Sequence, residues 1–172
     1  MSTRSFIGKL NQDNTVDYIY THWDGYCACN GFLLLSYVNS EKEVNNLLSK
    51  GDMSSLVWLE DKSIEISLYN NPAKNVPLTD FLNTREHWNI EYFYLYDVAK
   101  QHWLVASVHA PEFKLYPLEH LLAYELKSQM LKGDKFASKV AASAIEKGFF
   151  TFYDYIKTKI SKEETAEFIP TF

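Results

Sequence analysis

Two neighbouring segments, residues 90–96 (IEYFYLY) and 102–108 (HWLVASV), constrain the fold more than any other part of the sequence. Both are rich in aromatic and β-branched residues, which favour extended strands. The polar turn of residues 97–100 separates them at a distance typical of a β-hairpin. The two segments therefore predict a pair of antiparallel strands.

A second hairpin lies at the amino terminus, where residues 5–10 and 16–23 flank the turn sequence NQDN. Two further strands are predicted at residues 57–59 and 64–69. Successive hairpins do not show the strand–helix–strand alternation of a doubly wound parallel sheet, so that architecture is not expected. The sequence predicts five or six strands that pair as antiparallel hairpins.

Capping residues mark the helices between and after these strands. Ser40 followed by Glu43 is a capping-box pattern, and Gly51 is a typical residue to end that helix. After Pro117 the apolar residues recur at helical spacing. Helices are predicted at 31–37, 41–50, 78–86, 118–132, 135–147 with Asp134 as its cap, and 149–160.

The predicted fold class is α+β: an antiparallel sheet of hairpins with interleaved helices and a C-terminal helical extension. Residues 1–110 are expected to form the sheet core. Residues 111–172 are expected to form the helical extension, docked on the same core as part of a single compact domain.

Charge and hydropathy narrow the classes of function. The net charge of −5 does not predict the broad basic surface that follows a phosphate backbone, so direct nucleic-acid binding is not expected. No apolar run approaches the roughly 20 residues that span a bilayer. The amino-terminal residues lack the apolar core of a signal peptide, which favours a cytoplasmic protein without a membrane partner.

His22, Cys27 and Cys29 form the one local set of side chains that could bind a metal. Thiolate and imidazole are preferred ligands of Zn²⁺, which is usually four-coordinate. The spacing predicts a structural zinc site, with a fourth ligand from Asp24, His102, His109 or His120. Two alternatives remain: the cysteines are small buried apolar residues, or one of them pairs with His22 as a catalytic nucleophile.

Aromatic residues make up 16% of the chain, and several of them fall on one strand. Tyr92, Tyr94 and Tyr96 share one face of the segment 90–96, opposite Phe93 and Leu95. If Phe93 and Leu95 face the core, the three tyrosines form a partner-binding row, since tyrosine is enriched at the centres of interfaces. The alternative is that the C-terminal helices cover the row through residues 149–153 (FFTFY).

Four stretches of the sequence resemble a family of small phage and mobile-element proteins. They are residues 1–8 (MSTRSFIG), 22–26 (HWDGY), 51–56 (GDMSSL) and 91–96 (EYFYLY). Members of that family usually continue HWDGY with Pro-Glu, whereas this chain has Cys27-Ala28-Cys29. Any role of the two cysteines would therefore belong to this chain and not to the family.

The resemblance implies an accessory function in a bacterial host, and inhibition of host defence is one such function. It makes the chain a candidate type II-A anti-CRISPR protein: a non-enzymatic, phage-borne binding protein that blocks the Cas9 ribonucleoprotein by occluding it or preventing target-DNA loading. A structural zinc would brace the loop between His22 and Cys29. The alternative function is a metal- or thiol-dependent enzyme that acts on a small substrate or a modified nucleotide.

Overall fold

The computed structural model describes residues 2–58, 64–65, 69, 71–84 and 89–158. The strands are β1 (Ser5–Leu10), β2 (Thr15–Thr21), β3 (Val57–Trp58), β4 (Ile64–Glu65), β5 (Lys74–Pro77), β6 (Tyr92–Asp97), β7 (His102–Ser107) and β8 (Tyr116–Pro117). The helices are α1 (Phe32–Tyr37), α2 (Glu41–Leu48), α3 (Leu78–Asn83), α4 (Leu118–Leu131), α5 (Lys135–Glu146) and α6 (Phe152–Lys157). A π-helical turn, Cys27–Gly31, leads into α1.

Six strands form one sheet in the order β5-β2-β1-β6-β7-β8, and β3 pairs with β4 separately. The two predicted hairpins are present as the antiparallel pairs β1–β2 and β6–β7. They join through a parallel pairing of β1 with β6, in which Ile7 lies opposite Tyr94. The α+β class with a mostly antiparallel sheet is confirmed, and the single parallel pairing makes the sheet mixed.

Both faces of the sheet are covered. On one face, side chains such as Ile7, Ile19 and Tyr94 pack against the π-helical turn and the helices α1, α2, α4, α5 and α6. On the other face, Phe6 and Phe93 pack against Phe81 of α3. Within this core α4 contacts β7 and β8, and α5 and α6 pack on α4, so the C-terminal helices share a core with the sheet.

Local capping explains where several helices begin. The Ser40 hydroxyl accepts a hydrogen bond from the Glu43 N–H at the start of α2, as the sequence predicts. Asp134 accepts from the N–H groups of Phe136 and Ala137 at the start of α5. These side chains satisfy donors that the first helical turn leaves without partners.

Short elements depart from the sequence expectations. β5 and β8 are edge strands of four and two residues, too short to show a periodic pattern. Because β8 pairs with β7, the sheet extends past residue 110 into the segment predicted to be only helical. α6 begins at Phe152, three residues later than predicted, because Thr151 and Asp154 form a capping box there.

Some predicted elements lie partly outside the described residues. These parts are the turn at 60–63, residues 66–68 of a predicted strand, residues 85–86 of a predicted helix and residues 159–160 of the last predicted helix. Within the part that the structure describes, every helix is too short or too polar to span a membrane.

Gly51 and the residues after it make backbone contacts at one end of the sheet. Gly51 has φ +74, and a Cβ there would lie 2.2 Å from the Asn71 carbonyl oxygen, so the close approach needs glycine. The next residues continue the contact: the Asp52 N–H donates to the Asn71 carbonyl at 2.8 Å, and the Met53 N–H donates to the Tyr20 carbonyl at 2.9 Å. The segment thereby joins β2 to Tyr69 and Asn71.

Candidate functional site

The predicted zinc ligands do not come together in the fold. Cys27 and Cys29 stand two positions apart in the π-helical turn, and residues two apart on a helical turn do not face each other. Cys27 is fully buried against Tyr94 and Glu125, whereas half-buried Cys29 interacts with Tyr26. The described residues contain no group of three or more His, Cys, Asp or Glu side chains arranged to hold a metal ion. This arrangement gives no support to the predicted zinc site.

His22 is also engaged elsewhere. Its Nδ1 lies 2.6 Å from the Tyr20 hydroxyl, and its ring lies edge-on to Trp23 with the ring centroids 4.7 Å apart. Its backbone N–H donates to the Met53 carbonyl at 3.2 Å. These contacts hold His22 at the end of β2 as part of the junction with residues 51–54.

The surroundings of the two thiols raise their pKa values, whereas an activated nucleophile has a lowered pKa. Burial raises the pKa of Cys27 well above its ordinary value, and the nearby Glu125 carboxylate raises it further. Burial also raises the pKa of Cys29, with partial compensation from its hydrogen bond to Tyr26. Reactive cysteines instead have a lowered pKa and some solvent access. This environment favours the alternative in which both are packing residues.

The predicted row of tyrosines is part of the core. Tyr92, Tyr94 and Tyr96 are 4%, 0% and 1% exposed. β6 lies between β1 and β7, so the π-helical turn and the helical layer cover its tyrosine face while α3 covers its other face. The expectation of an exposed partner-binding row at these three residues is thereby corrected: their side chains are not available to a partner in this fold.

Two of these three tyrosine hydroxyls have a defined hydrogen-bond partner in the interior. The Tyr94 hydroxyl donates to the Gly25 carbonyl at 2.6 Å, which ties β6 to the start of the loop after β2. The Tyr92 hydroxyl donates to Glu125 Oε1 on α4 at 2.8 Å. Burial raises the pKa of Glu125, and the hydrogen bond from Tyr92 partly offsets the rise. Satisfying these polar atoms lets large amphipathic rings fill the core.

Exposed apolar side chains collect instead on the C-terminal helices. α6 turns Tyr155 inward, where its ring stacks on Phe150, and leaves Phe152, Tyr153 and Ile156 exposed by 62%, 63% and 51%. Ile156 follows Tyr153 by three positions and Phe152 by four, so the three side chains lie on the same side of the helix. Met130 at the end of α4 adjoins it, since its sulfur accepts a hydrogen bond from the Tyr155 hydroxyl at 3.2 Å. We call Phe152, Tyr153 and Ile156 the α6 face.

The position of the α6 face is set by local contacts. The capping box of Thr151 and Asp154 fixes the first turn, and the Lys127 ammonium donates to the Ile156 carbonyl at the end of the helix. The Lys157 ammonium lies 4.2 Å from the centre of the Tyr153 ring, a cation–π geometry. The sequence signal for this face is the apolar spacing in 149–160, which by itself is equally compatible with packing on the sheet.

The basic positions Lys132, Lys135 and Lys139 are exposed at the end of α4 and along α5. Phe136, in the same stretch, is 48% exposed. The C-terminal helices thus present both apolar rings and cations to solvent.

Comparison of the chain with protein families, curated proteins and solved structures finds no match. The resemblance to the phage and mobile-element family therefore stays a prediction that depends on the four sequence stretches described above.

Proposed function

We propose that the chain is a non-catalytic protein-binding factor whose contact surface is the α6 face. One observation carries this proposal: three large apolar side chains of one short helix are each more than half exposed, and Leu131 of α4 and Phe136 of α5 are exposed as well, at 77% and 48%. Exposed apolar clusters on a soluble domain mark interaction sites more often than isolated apolar residues do. An aromatic helical face of this kind suits an apolar groove on a protein partner.

The class of partner follows from the resemblance. Its implied function, inhibition of a host defence nuclease, requires a surface that occupies another protein and needs no catalytic residue. Guide-loaded type II-A Cas9 is the partner to test first, and the mechanism would be occlusion of the site where target DNA enters. The raised pKa values of both cysteines support binding over thiol catalysis, which is the competing function.

The test measures binding and inhibition with purified components. We expect the chain to form a stable complex with guide-loaded Cas9 and to inhibit DNA cleavage at a stoichiometry near one. The double substitution Phe152→Ser with Tyr153→Ser should weaken binding at least about tenfold, the loss of roughly 1.4 kcal/mol that one interface anchor can supply. Trp23→Ser is the matched control, because Trp23 is also an exposed aromatic residue, at 45%, but lies at the end of β2.

The outcomes separate the two functions. No complex with guide-loaded Cas9 would overturn the assignment of this partner. Equal loss of binding in the Trp23→Ser control would overturn the assignment of the surface. Inhibition that persists in the variants Cys27→Ser and Cys29→Ser supports binding, whereas multiple-turnover consumption of a substrate would overturn the non-catalytic function.

A further inference from the structure

A pocket of about 400 Å³ opens on the face of the sheet that carries α3, opposite to the face that carries α6. It lies at the end of the sheet where Arg4 enters β1 and where residues 51–54 join β2. Its volume falls within the range of small-ligand sites, which extends from about 300 to 1,000 Å³. The pocket is distinct from the α6 face in position and in chemistry.

Four of the eight described residues that line the pocket are aromatic. Phe6 and Tyr18 lie on neighbouring strands with their ring centroids 4.8 Å apart, and Tyr20 lies 6.3 Å from Phe6. Phe6 is held from behind by Phe81, at 6.0 Å. Tyr69, 45% exposed, completes the wall at the opening. Phe6 and Tyr18 expose only 4% and 6% of their surface, so a flat aromatic ligand would contact mainly the more exposed rings of Tyr20 and Tyr69.

Arg4 is hydrogen-bonded to Tyr20 but keeps one donor that the described residues do not use. Its Nε–H is buried and has no hydrogen-bond partner among the described residues. Its backbone is fixed, because the Arg4 carbonyl accepts from the N–H groups of Glu91 at 3.0 Å and Tyr92 at 3.3 Å. A buried donor without a partner costs about 1–3 kcal/mol, so a ligand acceptor at this place would relieve that cost.

The charges of the pocket favour an anion. Asp52 is 4% exposed; its Oδ1 accepts from the Tyr20 N–H at 2.8 Å, and its Oδ2 lies 3.7 Å from the Lys74 ammonium. Asp52 is the one acidic residue among the described residues that line the pocket, and Lys74 is placed to balance it. Among the described residues that line the pocket, the Arg4 guanidinium is therefore left as an excess positive charge beside aromatic rings. A guanidinium of this kind pairs well with a carboxylate or phosphate.

We propose that this pocket binds a small planar aromatic molecule that carries one anionic group, either a carboxylate or a phosphate monoester. The ring lies among Phe6, Tyr18, Tyr20 and Tyr69, and the anion accepts a hydrogen bond from Arg4 Nε. Lys74, whose ammonium lies 5.9 Å from the centre of the Tyr18 ring, stands at the rim of the site. The proposal does not depend on the function of the α6 face.

The first experiment measures binding of chosen probes to the full chain by calorimetry. Adenosine 5′-monophosphate and uridine 5′-monophosphate test the phosphate source, and 4-hydroxyphenylacetate with indole-3-acetate tests the carboxylate source. Adenosine and tryptophol are the matched neutral controls. We expect at least one anionic probe to bind with a Kd below about 1 mM and its neutral counterpart to bind at least about tenfold more weakly. Binding of the neutral compounds with equal affinity, or of no probe at all, would overturn the proposal.

Substitutions then locate the site. Arg4→Gln should weaken binding of the anionic probe at least about tenfold, with little effect on its neutral counterpart. Tyr69→Ala, at an exposed position, should weaken both compounds and keeps the test valid if the Arg4 variant is unstable. Lys139→Gln, an exposed cation on α5, is the charge-matched control and should leave the affinity unchanged. Loss of affinity in the Lys139 variant equal to that in the Arg4 variant would show a general charge effect and overturn the proposal.

Discussion

Aromatic residues are concentrated in two segments of this chain, β6 and α6, and the two segments differ in how far these side chains are buried. Tyr92, Tyr94 and Tyr96 of β6 are buried, whereas Phe152 and Tyr153 of α6 are 62% and 63% exposed. The difference comes from position in the topology. β6 has a strand on each side and helices over both faces, but α6 follows the last long helix at the margin of the core.

The comparison shows that aromatic composition predicts neither burial nor binding by itself. On β6 the polar ends of the rings find partners inside the protein, as Tyr94 does at Gly25 and Tyr92 does at Glu125. On α6 the polar end of Tyr153 is in contact with Lys157 at the surface. A tyrosine with its hydroxyl satisfied internally is a core residue, and one with its ring exposed is available to a partner.

The largest effect is expected from Tyr94→Ala, which removes a fully buried ring and leaves the Gly25 carbonyl without its donor. Large-to-small substitutions of buried aromatic residues cost about 3–5 kcal/mol of unfolding free energy. Urea denaturation measures this cost. Tyr94→Phe keeps the ring and should cost about 1 kcal/mol, the net contribution of one hydrogen bond. A cost below about 1 kcal/mol for Tyr94→Ala would contradict the buried position of β6.

Access to the thiol of Cys27 tests whether the layer over β6 opens. Cys27 is fully buried against Tyr94, and its pKa is raised mainly by burial, so both access and ionisation oppose alkylation. We expect iodoacetamide at pH 8 to modify Cys27 at least about 100-fold more slowly than in the unfolded chain, since labelling requires local opening. Half-buried Cys29 is the internal control and should react faster.

Zinc analysis of the same preparation extends this test. The separate environments of Cys27 and Cys29 predict less than about one tenth of an equivalent of zinc after purification without a chelator. Stoichiometric zinc together with protection of both thiols would contradict the arrangement of the π-helical turn.

A smaller effect is expected where β6 meets α4, from Glu125→Gln. Burial raises the pKa of Glu125 in the folded state, so the folded chain binds its proton more tightly than the unfolded chain does. The stabilising contribution of that proton is full below the unfolded pKa of about 4.3 and is lost as the pH rises through the higher folded value. Glutamine has no proton to lose and can still accept from Tyr92, while Cys27 and His109 are the other titratable neighbours.

Unfolding free energies at two pH values measure this effect. Glu125→Gln should match the original chain near pH 4 and become the more stable of the two at pH 7. Glu146→Gln, at an exposed position of α5, should show no such divergence. A variant that is less stable than the original chain at pH 7 would contradict the raised pKa.

Local signals predicted the elements that local contacts form. Hairpins and helix caps need contacts only between residues that are close in sequence. The structure contains the predicted hairpins around residues 11–14 and 97–100 and the predicted caps at Ser40 and Asp134. The parallel pairing of β1 with β6 depends on strands more than 80 residues apart, so no spacing in either segment could indicate it. Without that pairing the central position of β6, and hence the burial of its tyrosines, could not be predicted.

Long-range contacts also explain why the sequence does not predict the pocket. Arg4, Asp52 and Lys74 are each ordinary charged residues in the sequence, and they become neighbours only because residues 51–54 and β5 both attach to β2. Cys27 and Cys29 show the reverse case. Their spacing suggested a metal site, but the π-helical turn sends the two side chains to different surroundings.

The smallest effect on stability is expected at the α6 face, and it completes the contrast with β6. The double substitution Phe152→Ser with Tyr153→Ser removes two rings that are already mostly in water, so the unfolding free energy should change by no more than about 0.5 kcal/mol. Urea denaturation and sedimentation measure stability and oligomeric state together. A loss above about 2 kcal/mol would mean that these rings are packed in solution, against the chain itself or against a second copy, and α6 would then resemble β6. Unchanged stability with weakened partner binding is the result that distinguishes a contact surface from a piece of core.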